Sequence, residues 1–283
     1  MDTFTQVLLG ASIGAAAFHR RLGKRAIVIG GLGGLIPDLD LVSSLAGPWA
    51  SLVHHRGLTH SLFFAPVVSL PLGWLSHRWT TKRTPTPPVG ASPAPNDASV
   101  GVHAQLWFWS IFTHPLLDLF TTYGTQLLWP FSNRRFSLDG VSIIDPVYSV
   151  PLLIAVIVGW RAGAEWRRAQ RVATAALVLT TSWLFAGWGI GTSIERRAAE
   201  RWPTEPFEEV RAIPSFANLL YWRVIARTAT GDIHVDFYSL RAGWDGRTAV
   251  LPALDHPAVD TVRATYEGQI LTWFSEGWMG WVW

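Results

Sequence analysis

The chain has 283 residues, 49% of them hydrophobic and only 15% charged, with 17 Trp and a formal net charge of +3. Soluble domains carry about 25% charged residues, so the deficit points to a membrane protein with Trp at the interfaces. The lack of Cys excludes a disulfide framework and a thiolate metal site, and a small charge carried by Arg-rich loops is a topology signal, so no nucleic-acid partner is expected.

Residues 3–18 are apolar and rich in Gly and Ala. They are short for a span, which needs roughly 20 residues. Their basic flank follows rather than precedes them, unlike a signal peptide. After the basic turn at 19–25, residues 26–36 run apolar through G-G-L-G-G until Pro37. That glycine run lacks the strand–turn–helix and Lys context of a phosphate loop, so it reads as helix packing. Further apolar runs cover 62–75, 105–120, 147–160 and 172–190. Between them, 84–101 is Pro, Ala, Ser and Thr without period, which predicts a disordered cytoplasmic loop. Beyond Glu195 the composition changes, and Y-W-R-V-I-A-R and I-H-V-D-F-Y-S-L alternate as strands do. A helix is expected near 259–274.

The predicted fold is therefore mainly α, a polytopic membrane protein of about six helical spans, with a small C-terminal β-rich extracytoplasmic domain. The membrane-embedded domain covers 1–194 and the β-rich domain 195–283. Basic loops at 19–25, 77–83 and 161–171 follow the first, third and fifth runs. Assigning all three to the cytoplasm leaves Asp38, Asp40, His55, His60, the end of the fourth span, Asp139, Asp145 and the β-rich domain outside.

Charged and imidazole groups beside membrane-length apolar runs are costly, and their default reading is functional. His114 and Asp118 stand four apart, one turn along one helix face. Pro37-Asp38-Leu39-Asp40 offers two carboxylates, although a cap and turn would also use Asp. In H-H-R-G-L-T-H-S, His55 and His60 are candidate ligands, with His54 the weaker neighbour; Arg56 suits a phosphate or carboxylate, and Thr59 or Ser61 also suits a helix cap. Asp145, before Pro146, either caps a helix or serves the metal, while Asp139 reads as a turn residue. His19 and His77 sit with the basic loops and His234 and His256 in the β-rich region, so none is counted as a ligand.

The strings P-D-x-D, H-R-G-x-T-H-S, H-x-x-x-D followed by T-x-Y-G-T, and I-D-P together resemble the YdjM-like family of bacterial inner-membrane metal-dependent hydrolases. The similarity covers residues 1 to about 240, including P-S-F-A-N-L-L-Y-W-R-V, which is similar to the family's extra-membrane tail. The resemblance implies a metal-dependent hydrolase, remotely related to the helical zinc-dependent phospholipase C and nuclease enzymes with His and Asp ligands. The loop at 84–101 and the Trp-rich C-terminus depart from the pattern and bear on regulation rather than chemistry.

The resulting expectation is hydrolysis by metal-activated water at the outer membrane face, on a small-molecule phosphoester or a lipid-linked substrate. Asp38, Asp40, His55, His60, His114 and Asp118 hold one or two divalent ions, zinc first and manganese second. Asp38, Arg56 and Asp145 carry the chemistry. The rival readings are an ion transporter, whose ligands would lie near the bilayer midplane, and a purely structural metal site beside a β-rich binding module.

Overall fold

A computed structural model describes residues 1–82, 99–162, 165–202, 206–253 and 256–279. The chain is mainly helical with a C-terminal antiparallel sheet. Most of the expected loop at 84–101 lies outside the described residues, but Val100 and Gly101 already open a helix.

The chain divides into two compact units. The first comprises Met1–Asp40, Arg56–Ser137 and Ile143–Trp183. Its opening helix α1 (Thr3–Ile13) is capped by Asp2, whose carboxylate accepts the Thr5 N–H at 3.0 Å. A π-turn (Gly14–Phe18) and the short α2 (His19–Leu22) lead to α3 (Lys24–Leu35), which packs back along α1. The antiparallel register pairs Gly10 with Gly30, Gly14 with Ala26 and Gln6 with Gly34. A Cβ on Gly10 would lie 2.1 Å from the Gly30 carbonyl oxygen, so these backbones touch only because glycine stands at the crossing. G-G-L-G-G is thus a packing surface.

Helices α5 (Phe64–Lys82) and α6 (Val100–Asp118) form a second pair, and α6 also packs on α3 and α1. Ala26, Ile29, Leu106, Trp107 and Ile111 build the core between them. Helix α7 (Pro146–Arg161) lies on α1 and α3. Helix α8 (Trp166–Arg201) gives its first part to this unit and runs uninterrupted across the expected 194/195 boundary.

Two helical segments are long and apolar enough to cross a membrane, Lys24–Ala46 and Trp166–Ala198. A third arises if Pro48–His60 and Phe64–Thr81, bent by 67°, count as one broken span. This differs from the six spans read from the apolar runs. Those runs are cut by helix breaks and diluted by polar groups: α1 has 11 residues, α7 has 16 and reaches only about 24 Å of a roughly 30 Å hydrocarbon core. Helix α6 has the length but carries His103, Gln105, His114 and Asp118.

The second unit comprises Leu41–His55, Leu138–Ser142 and Leu184–Trp283. Strands β1 (Phe207–Pro214), β2 (Tyr221–Thr228), β3 (Ile233–Ser239) and β4 (Gly243–Trp244) pair antiparallel in that order, and β5 (Ala249–Leu251) pairs with β3. In β2, Trp222, Val224 and Ala226 are buried and alternate with Arg223 and Ile225, the period-two pattern legible in the sequence. The single helix expected near 259–274 is two, α9 (Pro257–Ala264) and α10 (Tyr266–Phe274), split where Thr265 caps the second. Helix α4 (Pro48–His54) packs on α10.

Candidate metal centre

Four local structures of the first unit deliver the site. Pro37 ends α3 and starts a 3-10 segment (Pro37–Ala46) bearing Asp38 and Asp40. A 3-10 turn (Leu58–His60) brings in His60, and the last turn of α6 presents His114 and Asp118 on one face. Arg56 holds a left-handed backbone, φ 60°, a conformation uncommon outside Gly. In that turn its N–H donates to Asp40 Oδ2 at 3.0 Å.

One ligand atom each from Asp38, His60 and His114, all buried, lies within 4.8 Å of the others. The His60 and His114 Nε2 atoms are 3.1 Å apart. Asp38 Oδ1 stands 3.3 Å from His114 Nε2 and 3.6 Å from His60 Nε2. Asp118 Oδ2 stands 3.3 Å from His60 Nε2 and 3.6 Å from His114 Nε2.

The far side of each ring is also held. His114 Nδ1 donates to the Gly34 carbonyl at 2.7 Å. A carbonyl only accepts, so the ring proton sits on Nδ1 and Nε2 presents its lone pair. His60 Nδ1 lies 3.1 Å from Asp40 Oδ2, which also accepts the Thr59 hydroxyl at 2.8 Å. This carboxylate–imidazole arrangement orients a metal-binding histidine and raises its basicity. Two Nε2 lone pairs at 3.1 Å repel unless a proton or cation stands between them. Asp38 Oδ2 is buried with no hydrogen bond of ordinary length among the described residues, though the Thr3 hydroxyl is nearby. Two imidazole nitrogens with carboxylate oxygens form a donor set that fits a divalent ion such as zinc or manganese.

Asp118 is the most heavily engaged donor. Arg56 Nε lies 3.2 Å from its Oδ2, Gln6 Nε2 donates to its Oδ1 at 3.0 Å, and the main-chain nitrogen of Met1 also contacts Oδ1. Gln6 bonds the His114 carbonyl too, at 3.2 Å. The sequence reading missed Gln6, whose signal was a lone amide inside an apolar run, and gave no role to Thr121 and Tyr123 of the T-x-Y-G-T string. Arg56 Nη1 donates to Thr121 Oγ1 at 2.8 Å.

Of the expected site residues, Asp38, Asp40, Arg56, His60, His114 and Asp118 come together. His55 is not in the donor group; it closes α4 as its C-cap, its N–H bonded to the Ser51 carbonyl. Asp145 is the N-cap of α7: Oδ1 accepts from the Val147 and Tyr148 N–H groups, and Oδ2 accepts from Trp183 Nε1 at 2.8 Å. Both of its oxygens are thereby engaged, as the cap reading expects. Asp139 holds a left-handed backbone, φ 50°, and pairs with Arg211 at 2.8 Å. Asp145→Ala is expected to cost about 1–2 kcal/mol, from the lost cap and indole hydrogen bond. Thermal unfolding in detergent measures that loss, and bound metal should remain at the wild-type level.

No solved structure matches the chain. The uncharacterized protein YfhP of Bacillus subtilis (strain 168) is 28% identical over 178 residues, covering 58% of this chain and 48% of that protein. The inner membrane protein YbcI of Escherichia coli (strain K12) is 30% identical over 134 residues, covering 45% of this chain and 64% of that protein. The chain thus spans less than two thirds of either relative. The YdjM inner membrane protein family matches residues 1–191, which include every donor of the centre. With that match, the family's inner-membrane designation and helices long enough to span a bilayer, the chain belongs to the YdjM inner membrane protein family.

Proposed function

We propose that this inner membrane protein is a metal-dependent hydrolase that crosses the bilayer several times and cleaves a phosphoester, soluble or lipid-linked, at the extracytoplasmic face. One observation carries the reading: the Nε2 atoms of His60 and His114 converge at 3.1 Å while Asp40 and the Gly34 carbonyl hold the opposite ring nitrogens. Such orientation of both rings is the preparation a metal ligand needs. The sidedness rests on the basic loops.

His60 Nε2, His114 Nε2, Asp38 Oδ1 and Asp118 Oδ2 would hold the ion, zinc first and manganese second. Bound there, a divalent ion supplies Lewis-acid polarisation and acidifies water. The chain's own groups do the rest. Asp38 Oδ2 accepts a proton from the attacking water, the ester P–O bond breaks, and the departing oxygen takes up a proton. Arg56 neutralises charge on the phosphoryl oxygens, with Asp118 and Thr121 orienting its guanidinium. Asp40 aligns His60.

A second reading, a structural or transported cation without catalysis, is favoured by how enclosed the donors are: His60, His114 and Asp118 are 0% exposed and Asp38 is 6% exposed. Metal analysis of detergent-purified protein together with a phosphoester panel separates the two. The hydrolase reading expects bound divalent metal and turnover abolished by a chelator and restored by zinc or manganese. Metal bound at full occupancy with no turnover on any soluble or lipid phosphoester selects the second reading.

A further inference from the structure

Two guanidiniums stand over one aromatic ring at the edge of the centre. The Arg56 and Arg135 Cζ atoms lie 4.8 and 4.9 Å from the centre of the Tyr123 ring. Both arginines are nearly fully buried, at 3% and 6% exposure. Arg135 is 79 residues away from Arg56 in the chain, yet the local structure is built to admit it. Its Nη2 donates to the carbonyls of Tyr123 and Gly124. Gly124, at φ 78°, leaves the room: a Cβ there would lie 2.9 Å from Arg135 Nε. Reciprocal main-chain bonds between Thr125 and Phe136 hold the two arms of this loop together, at 2.9 and 3.0 Å.

Asp118 balances the Arg56 guanidinium at 3.2 Å, and a second buried guanidinium on the same ring adds positive charge to this edge of the centre. With a divalent ion bound, the carboxylates of Asp38, Asp40 and Asp118 and the two guanidiniums leave these groups net positive. The surroundings are rich in donors. Main-chain bonds from Gln126 N to the Arg56 carbonyl and from Leu62 N to the Leu127 carbonyl lay the 56–62 and 125–127 segments side by side. On those segments the hydroxyls of Ser61 and Thr125 are buried with no hydrogen-bond partner among the described residues. Burial pushes the Tyr123 phenol up, with Arg135 and Arg56 pulling it the other way, so the phenol keeps its proton at neutral pH.

We infer that Arg135, Arg56 and Tyr123 form a clamp for the phosphate group of the substrate, with Arg135 the specificity-determining residue that sequence reading did not single out. This rests on the hydrolase reading and names its substrate class: a phosphate presented to two guanidinium forks, whether on a soluble molecule or on a lipid headgroup.

The test uses full-length, detergent-purified, zinc-loaded protein and two probes in calorimetric titrations, inorganic phosphate and short-chain phosphatidic acid. Wild type is expected to bind at least one probe. Arg135→Gln should weaken that binding about tenfold or more, the loss of one charge-assisted fork, with zinc content unchanged. Arg135→Lys keeps the charge but not the fork and should fall between; it decides the matter if Arg135→Gln does not fold. Binding of phosphatidic acid alone assigns a lipid source, and binding of both assigns the phosphate group itself. Wild-type affinity in either variant overturns the clamp, as does wild-type protein that holds zinc but binds neither probe. Failure of the hydrolase reading has a different signature: wild type retains no metal, while an Arg135-dependent phosphate affinity survives in chelator.

Discussion

His114→Ala is expected to abolish metal retention. A complete structural zinc site contributes about 10–16 kcal/mol in small zinc-binding peptides. One of four donors is then roughly a quarter of that, about 3–4 kcal/mol, or two to three powers of ten in affinity. His60→Ala should behave the same way, since its Nε2 lies 3.1 Å from that of His114. Asp40→Asn changes only the group behind His60 and should weaken binding about 10–100-fold. Metal content after dialysis, followed by competition with a chromophoric chelator, reads the whole series. The result that ends the assignment is His114→Ala protein, folded by circular dichroism, carrying metal at wild-type stoichiometry.

Gly30→Ala is expected to unlock the α1–α3 pair. The added Cβ would lie 2.1 Å from the Gly10 carbonyl oxygen and 2.9 Å from its carbon. Those are backbone atoms, so no rotamer change relieves the clash and the helices must separate. Overpacking usually costs 1–3 kcal/mol. A rigid backbone obstacle sets this case at about 3 kcal/mol or more, a fall in Tm of about 6–12 °C for a chain of this size. The damage reaches the centre, because Gly34 supplies the carbonyl that orients His114 and Gln6 bonds Asp118 from the facing helix. Metal affinity should therefore fall with stability. Gly189→Ala is the control: a Cβ there meets nothing within 4 Å and the backbone is helical, so stability should hold or rise slightly. Equal melting temperatures for Gly30→Ala and wild type would show that the close approach does not support the fold.

The two experiments probe one construction from opposite ends. Glycines let α1 and α3 touch, and that contact brings Gln6 and the Gly34 carbonyl to the last turn of α6. The His114 and Asp118 side of the centre therefore depends on helix packing, while Asp38 and His60 arrive on 3-10 segments between helices.

Several features were determined by the sequence alone. The i, i+4 spacing of His114 and Asp118 put both on one helical face, because 3.6 residues per turn allows nothing else. The cost of polar groups near apolar spans singled out Asp38, Asp40, Arg56 and His60, and alternation marked β2 and β3. Only the tertiary structure decided that His60, and not His55 five residues before it, stands with Asp38 and His114. A left-handed turn at Arg56 lies between the two histidines, and a φ angle at one residue leaves no trace in hydropathy. It likewise decided that Asp145 caps α7, since Asp before Pro serves a cap and a ligand equally well and only the Trp183 indole and two N–H groups break the tie. Gln6 and Arg135 were illegible for the same reason: their partners lie 108 to 112 and 11 to 12 residues away, joined by packing rather than by spacing.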